Sequence, residues 1–183
     1  RRSSDLWRHS VGVATMGGLV AEMSPLRQAR ALKGEILLAG LMHDIGIILE
    51  LQHLPAELGK AIETARAQEQ SLFLGEQPVL GFTHADLGGR VLERWRLPGE
   101  ICDAVTGHHR ETAEQTPLLT VITAMSELLV SDKRIGFCDV TNVSRKRFGQ
   151  LQMRLGLMGK TLSDLRKRFD EEIAAALAIF DVA

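Results

Sequence analysis

The sequence predicts an all-α protein of one domain, built from roughly seven to nine helices around a polar pocket of histidine and aspartate. Apolar residues recur at helical spacing, and no group of neighbouring segments sustains the alternation typical of strands. Aromatic residues make up only 4% of the 183 residues and tyrosine is absent. The core must therefore consist of Leu, Ile, Val, Ala and Met, a composition that favours helices over sheets.

Composition also limits the partners and the compartment. The formal net charge of −1 gives no reason to expect a nucleic acid or a membrane as partner. No apolar run approaches the roughly 18–20 residues that cross a bilayer. Cys102 and Cys138 are too few for a disulfide framework, so we interpret them as reduced thiols of a cytoplasmic protein. Because the chain starts at Arg1 without a methionine, we expect residues 1–183 to be one piece of a longer multidomain protein.

The first predicted helix runs from about Leu6 to Met23, with N-cap candidates at residues 3–5 and Pro25 as its stop. His9 falls three residues after Leu6, beside the apolar stripe of this helix. The stripe consists of Leu6, Val13, Met16, Leu19 and Val20.

A second helix, over about residues 34–42, places His43 and Asp44 at its end. Gly46 permits a kink before residues 47–51 continue as helix. Burying an imidazole and a carboxylate among aliphatic residues is unfavourable unless each finds a partner. A metal ion is one such partner, and a hydrogen bond between the two side chains is the alternative.

Proline, glycine and capping residues indicate the remaining elements. His84 lies in an early turn of the helix over 78–95, on the same face as Leu87 and Val91, and should point inward. We expect loops around Gly75-Glu76 and over 131–144. The predicted helices cover residues 55–70, 78–95, 98–107, 117–130, 145–155 and, capped by Thr161 with Asp164, 161–180.

Five of the six histidines fall at helix ends or on inward faces, whereas His53 sits in a turn that we expect to be exposed. Inward histidines on four segments can converge with Asp44 on one pocket. Neutral imidazoles with a carboxylate suit Fe, Mn, Zn or a similar divalent ion. The alternative is a hydrogen-bonded core cluster without metal. The five are His9, His43, His84, His108 and His109.

The order His9, His43-Asp44, His84, His108-His109 resembles the HD superfamily of metal-dependent phosphohydrolases. The surrounding residues are similar to the HDOD branch, a bacterial regulatory domain related to the HD-GYP cyclic-di-GMP phosphodiesterases. The resemblance covers about residues 6–180. Its segments are Leu6-Trp7-Arg8-His9-Ser10, Ala39-Gly40-Leu41-Met42-His43-Asp44-Ile45-Gly46, residues 84–88 and 92–95, Leu97-Pro98 and Gly107-His108-His109-Arg110.

This resemblance implies a ligand set and a catalytic residue. Asp44 would bridge two metals and be the catalytic residue. One metal would also be bound by His84, His108 and His109, and the other by His9 and His43. The implied cofactor is one or two divalent ions, with Fe, Mn, Zn, Ni and Mg as candidates.

Arg110, beside the double histidine, could bind the phosphate of a substrate, although a surface salt bridge is the ordinary role for an arginine there.

The sequence departs from the family pattern at several points. HD enzymes carry a last aspartate where we place Met125, with Ser126 and Glu127 nearby but offset. HD-GYP enzymes carry a phosphate-holding lysine where this chain has Ile47. The glycine-tyrosine-proline segment is absent, and so is the helical half that usually precedes the first histidine in HDOD proteins.

These departures favour a regulatory domain that retains the metal pocket with weak or no catalysis. Its expected partners are other signalling domains, as in response regulators, and a nucleotide or cyclic-dinucleotide ligand, with a homodimer as a further alternative. The competing hypothesis is an active metal-dependent phosphohydrolase. Losing one charge-stabilising contact costs on the order of 10²–10³ in rate in other enzymes, which argues against efficient turnover.

Overall fold

We analysed a computed structural model of the chain, which describes residues 2–111, 114–136 and 144–180. Every regular element within those ranges is a helix, which confirms the all-α prediction. The helices are α1 (Arg2–Met23), α2 (Arg27–Ala31), α3 (Lys33–Met42), α4 (Ile45–His53), α5 (Pro55–Ala67), α6 (Leu72–Leu80), α7 (His84–Arg94), α8 (Gly99–Gly107), α9 (Leu118–Asp132), α10 (Arg145–Leu155) and α11 (Lys160–Phe180).

Helices α1 and α9 form the centre of the molecule. All five residues of the predicted α1 stripe are buried, and α9 is buried from Leu119 to Val130. Helices α3, α9 and α11 pack around α1, and Leu165 and Phe169 of α11 are fully buried. This arrangement places the C-terminal part of α9 beside the first half of α1, where His9 lies.

The described residues contain more helices than expected because the sequence did not indicate α2 and α6. The predicted helix over about 34–42 ends as expected, and His43-Asp44 turn between α3 and α4. Gly46, which we expected to permit a kink, lies inside α4 instead. A Cβ on Gly46 would collide with the backbone oxygen of His84, so glycine is needed there for the close approach of α4 and α7.

The structure corrects the expected loop at Gly75-Glu76 and the expected helix over 78–95. Gly75 and Glu76 lie inside α6, and the chain turns later, at Gly81, whose φ is 77°. A Cβ on Gly75 would lie 2.5 Å from the backbone oxygen of Ala61, so this glycine serves close packing of α6 on α5 rather than a turn. Helix α7 then starts behind a capping box made by Thr83 and Asp86.

Helices α5 and α6 pack mainly on each other around a smaller second apolar cluster that includes Leu58, Ile62 and Leu72. Ile47 of α4 and Leu6 of α1 join this cluster. The hairpin of α5 and α6 therefore meets the rest of the molecule beside the start of α7.

The C-terminal helices lie close to their predicted bounds. Helix α9 continues to Asp132, two residues into the expected loop, and α10 begins at Arg145 as predicted. Thr161 is the second residue of α11 rather than its cap. Residues 137–143 of the expected loop and Cys138 lie outside the described ranges, whereas Cys102 is buried as a free thiol. Within the described residues, the search for a helix that could span a membrane finds none.

Candidate metal centre

Histidines from four segments surround Asp44. His9 comes from the middle of α1, His43 from the turn after α3, His84 from the first position of α7 and His108 from the end of α8. All four imidazoles and Asp44 are buried. The structure therefore brings these distant histidines together around Asp44, as the sequence predicts.

The two oxygens of Asp44 face different histidines. Oδ2 lies 3.2 Å from His43 Nε2 and 3.8 Å from His9 Nε2. Oδ1 lies 3.5 Å from His84 Nε2 and 3.8 Å from His108 Nε2. The carboxylate thus divides the pocket into two groups of side chains that share Asp44.

Each of the four rings directs its other nitrogen away from Asp44. Nδ1 of His43 lies 2.8 Å from the backbone oxygen of Gly40, and Nδ1 of His108 lies 2.6 Å from that of Val105. Because a carbonyl oxygen can only accept, Nδ1 must carry the proton in both rings. The Nε2 atoms, which face Asp44, then present lone pairs in the neutral rings.

In His9 and His84, Nδ1 also points away from Asp44 toward a hydrogen-bond acceptor. His9 Nδ1 lies 3.1 Å from the backbone oxygen of Ile135, in the loop after α9. Gly136, with a φ of 75°, brings that loop close to α1, since a Cβ there would lie 2.5 Å from the backbone nitrogen of His9. His84 Nδ1 lies 2.8 Å from both oxygens of Glu76.

His109 completes the group on the Oδ1 side. Its Nε2 atom lies 3.0 Å from Nε2 of His84 and 3.5 Å from Oε1 of Glu127. The ligand atoms of Asp44, His84, His108 and His109 all lie within 4.8 Å of one another, and those of His9, His43 and Asp44 do so as well. Both sets have the spacing of residues that can share a divalent cation.

The charges within the pocket keep the aspartate ionised and most rings neutral. Burial by itself would raise the pKa of Asp44, but the neighbouring histidines, His43 first, hold it well below its usual value. Burial lowers the pKa of His9 to about 4, and burial with the adjacent imidazoles lowers that of His108 and His109. Neutral imidazoles and an ionised carboxylate are the forms that bind metals.

His43 and His84 are the exceptions. Burial acts to lower the pKa of His43, but the charge of Asp44 raises it. Burial also acts to lower the pKa of His84, but the charge of Glu76 and the hydrogen bond to it raise the value to about 10. His84 therefore attracts positive charge more strongly than His108 or His109. A cation bound at Nε2 would supply that charge in place of a proton.

Two buried nitrogens of the pocket are not satisfied within the described residues. Nε2 of His43 and Nε2 of His108 are buried and make no hydrogen bond within the described residues. Both face Asp44, which can only accept. Leaving buried polar atoms unpaired is costly, so a cation among these lone pairs is the group that their chemistry fits.

Three buried acids around the centre were not identified as site residues from the sequence. Glu50 of α4 and Glu76 of α6 are fully buried, and Glu127 of α9 is buried beside His109. Burial raises the pKa of Glu50 to about 8 and that of Glu127 to about 7. A glutamate inside an apolar run, as in Ile47-Ile48-Leu49-Glu50-Leu51, is a signal that could have identified Glu50.

Glu127 also changes the interpretation of α9. We placed Met125 where HD enzymes carry their last aspartate, and Glu127 offset from it. Met125 is fully buried in the main apolar core, whereas the carboxylate of Glu127 reaches the pocket. The acidic side chain on this helix is therefore present, two residues later and one methylene longer.

An arginine from α10 is the fourth residue that sequence reasoning missed. Arg147 is half-buried, and its Nη2 donates to the backbone oxygen of His108. Burial lowers the pKa of Arg147, while Glu127 and Glu111 act to raise it. Arg147 thus places a positive charge next to the double histidine.

The remaining named residues lie outside the pocket. Arg110 is exposed, and its Nη2 pairs with Asp86 Oδ1 at 3.2 Å, so the surface salt bridge is the contact that the structure shows. His53 is exposed at the end of α4, as expected. Ile47, which stands where HD-GYP enzymes carry a lysine, is buried in the second apolar cluster.

Solved structures with the same fold include three bacterial proteins. An HDOD domain protein from Geobacter sulfurreducens is 24% identical with a TM-score of 0.72, over 98% of this chain and 62% of that one. A candidate signal transduction protein from Marinobacter aquaeolei is 20% identical with a TM-score of 0.77, over 95% of this chain and 38% of that one. A candidate phosphohydrolase from Shewanella amazonensis is 21% identical with a TM-score of 0.68, over 92% of this chain and 60% of that one.

This chain thus spans between 38% and 62% of the length of those structures. A search of curated proteins gives no match. The family model of the HDOD domain matches residues 1–111, a range that contains His9, His43, Asp44, His84, His108 and His109. With that match over more than half of its length, and with the same fold as a solved HDOD protein, the chain belongs to the HDOD domain family.

Proposed function

We propose that this chain is a bacterial signalling domain of the HDOD type that binds one or two divalent cations at Asp44 and has weak or no catalytic activity. Its output would be a conformational change passed to other signalling domains, and its ligand a nucleotide or cyclic dinucleotide. The solved relative from Marinobacter aquaeolei, a candidate signal transduction protein, supports the regulatory part of this proposal.

The observation that carries the proposal is the direction of the ring nitrogens. Four imidazoles donate from Nδ1 to acceptors outside the pocket and turn Nε2 toward Asp44. In the neutral rings of His9 and His108, a lone pair then faces the ionised carboxylate without a proton between them. A hydrogen-bonded core cluster, the alternative without metal, would need these two rings to donate toward Asp44 as well.

The two groups around Asp44 suggest how cations would be held. His84, His108 and His109 with Oδ1 of Asp44 would hold one, and His9 and His43 with Oδ2 would hold the other. A divalent cation in either group would act as a Lewis acid on a phosphoryl oxygen. The protein residues would fix its position and exclude bulk water, since Asp44 and four of the histidines are buried.

Ile47 is the residue that favours weak catalysis. The HD-GYP enzymes that this chain resembles have a phosphate-holding lysine at this position, but Ile47 is packed in the second apolar cluster and cannot bind an anion. Arg110, the predicted phosphate contact, is held by Asp86 at the surface. A bound phosphate would therefore have fewer cationic partners here than in those enzymes.

A specific observation favours the second candidate, an active phosphohydrolase. HD enzymes carry an aspartate where this chain has Met125, but the carboxylate of Glu127 on the same helix lies beside His109. Helix α9 therefore still supplies an acidic side chain to the pocket. The solved relative from Shewanella amazonensis is a candidate phosphohydrolase. Under this candidate, the substrate would be a nucleotide or a cyclic dinucleotide, with Asp44 as the catalytic residue.

Metal content and turnover, measured together, separate these functions. Protein purified without chelator should contain stoichiometric metal, and Asp44→Ala should lose it because both groups share this carboxylate. Asp103→Ala, at an exposed position of α8, is the matched control and should keep the metal. Metal without hydrolysis of cyclic dinucleotides in Mn²⁺ or Fe²⁺ is the result that the regulatory proposal predicts.

Turnover that disappears in Asp44→Ala but persists in Asp103→Ala would favour the phosphohydrolase. If the wild type contains no metal and binds none when Mn²⁺, Fe²⁺ and Zn²⁺ are added, the metal proposal is wrong for both functions. The histidines would then form a hydrogen-bonded core cluster, and His84→Ala and His108→Ala would only destabilise the fold.

A further inference from the structure

Glu76 is a fully buried acid that holds His84 from the side facing away from Asp44. Both of its carboxylate oxygens lie 2.8 Å from His84 Nδ1, and Oε2 also accepts the backbone N–H of His84 at 2.8 Å. One side chain of α6 therefore fixes both the ring and the backbone of the first residue of α7.

These contacts determine which nitrogen of His84 faces the pocket. A carboxylate can only accept, so Nδ1 carries a proton and Nε2, 3.5 Å from Asp44 Oδ1, is the atom left for a ligand. His9, His43 and His108 obtain the same orientation from backbone carbonyls, whereas His84 obtains it from a charged group. A carboxylate behind an imidazole also makes that imidazole a more basic ligand.

Helix α6 makes a second contact with the histidines on the Oδ1 side of Asp44. The ring of Phe73 lies against that of His109, with centroids 4.9 Å apart, and 6.3 Å from the ring of His84. Since α6 packs mainly on α5, these contacts and the Glu76 hydrogen bonds are its route to the metal centre.

We propose that Glu76 is a positioning residue of the metal centre. It fixes the orientation and tautomer of His84 so that Nε2 is presented to a divalent cation beside Asp44. This inference rests on the proposed function, because it assigns the cation to the His84 group. The competing explanation is that Glu76 only satisfies the buried backbone N–H of His84 and stabilises the fold.

Cation affinity distinguishes the two explanations. We expect Glu76→Gln to weaken Mn²⁺ or Zn²⁺ binding, measured by calorimetry, by about 10–100-fold, the usual loss when the partner of a ligating histidine is changed. Glu63→Gln is the matched control, an exposed glutamate on the neighbouring α5, and should bind as the wild type does. A folded Glu76→Gln protein with wild-type affinity would overturn the proposal.

A double-mutant comparison tests whether Glu76 acts through His84. In the His84→Ala background, Glu76→Gln should cause no further loss of affinity, because the ring that it positions is gone. In the His9→Ala background the full loss should remain, since His9 belongs to the other group. An equal additional loss in both backgrounds would contradict a positioning role.

Nuclear magnetic resonance of the histidine rings, recorded on metal-free protein, gives a readout that does not depend on metal binding, and its wild-type part does not depend on the folding of the variant. The wild type should show a His84 Nδ1–H protected from exchange with water, and Glu76→Gln should lose that protection. A wild-type His84 protonated only at Nε2 would overturn the proposal. If no cation binds but the protected Nδ1–H is present, the proposed function fails while the positioning of His84 by Glu76 stands.

Discussion

At the scale of single residues, Asp44 explains why the histidines are where they are. Its carboxylate is buried, and four Nε2 atoms lie within 3.8 Å of its oxygens. Repulsion among lone pairs and the desolvation of a carboxylate both oppose this arrangement. A cation in each of the two groups around Asp44 would reverse both effects, so cation binding accounts for all the rings.

The sequence could predict these ligands because a histidine beside an apolar stripe is unusual. It could not predict Glu76, because a glutamate next to a glycine looks like an ordinary loop residue. Glu127 was misjudged for a geometric reason. Counting residues from a family pattern placed Met125 at the site, but the rotation of α9 turns Met125 into the core and Glu127 toward His109.

Gly46 provides a prediction at this scale. Gly46→Ala should lower the free energy of unfolding by about 3 kcal/mol, the upper end of the usual cost of overpacking, because the new Cβ meets the backbone oxygen of His84. It should also weaken metal binding, since relief of the collision moves His84 away from Asp44. Urea denaturation and calorimetry measure the two effects.

Gly18→Ala is the control for this prediction. A Cβ on Gly18 meets no atom within 4 Å, and the residue lies inside α1. Alanine is the better helix former by about 0.5–1 kcal/mol, so this variant should be more stable than the wild type. Equal stability losses in both variants would show that the approach of α4 to His84 is not tight.

At the scale of elements, the sequence predicted helices well where apolar periodicity is strong, as in α1, α9 and α11. It failed where tertiary contact overrides a local signal. Gly75 indicated a loop but serves the close packing of α6 on α5, and Pro78 indicated a helix start but lies inside α6. The Gly75 contact cannot be read from the neighbouring residues, since its partner Ala61 is on α5.

Arg147 supplies a prediction for the link between α10 and the end of α8. Arg147→Met should lower the free energy of unfolding by roughly 1.5–3 kcal/mol, because the backbone oxygen of His108 loses a charged donor. Arg145→Met changes an exposed residue of the same helix and should stay within about 0.5 kcal/mol of the wild type. Similar values for both variants in urea denaturation would mean that Arg147 does not hold α8.

At the scale of the whole molecule, ligands of one pocket come from elements far apart in the chain. His9 and His109 are separated by 100 residues of sequence, and the loop that holds His9 follows α9. The order of the histidines along the chain sufficed to recognise the family, but the separation into two groups around Asp44 appears only in three dimensions.

Because the centre joins α1, α3, α7 and α8, cation binding should stabilise the entire fold. With free Mn²⁺ or Zn²⁺ at about 100 times its dissociation constant, the gain is about 2.7 kcal/mol, which corresponds to a Tm increase of roughly 5–10 °C. Excess chelator should reverse the increase, and Asp44→Ala should show none. Calorimetric or fluorescence melting curves provide the measurement, and an equal shift in Asp44→Ala would point to binding elsewhere.

Anomalous X-ray diffraction from crystals of protein purified without chelator is the most direct test of cation binding at Asp44. We predict an anomalous peak at coordination distance from Asp44 Oδ1 and the Nε2 atoms of His84, His108 and His109. A second peak would lie between Asp44 Oδ2, His9 and His43. Anomalous maps without a peak near Asp44, even from crystals soaked in Mn²⁺ and Zn²⁺, would contradict cation binding at this pocket.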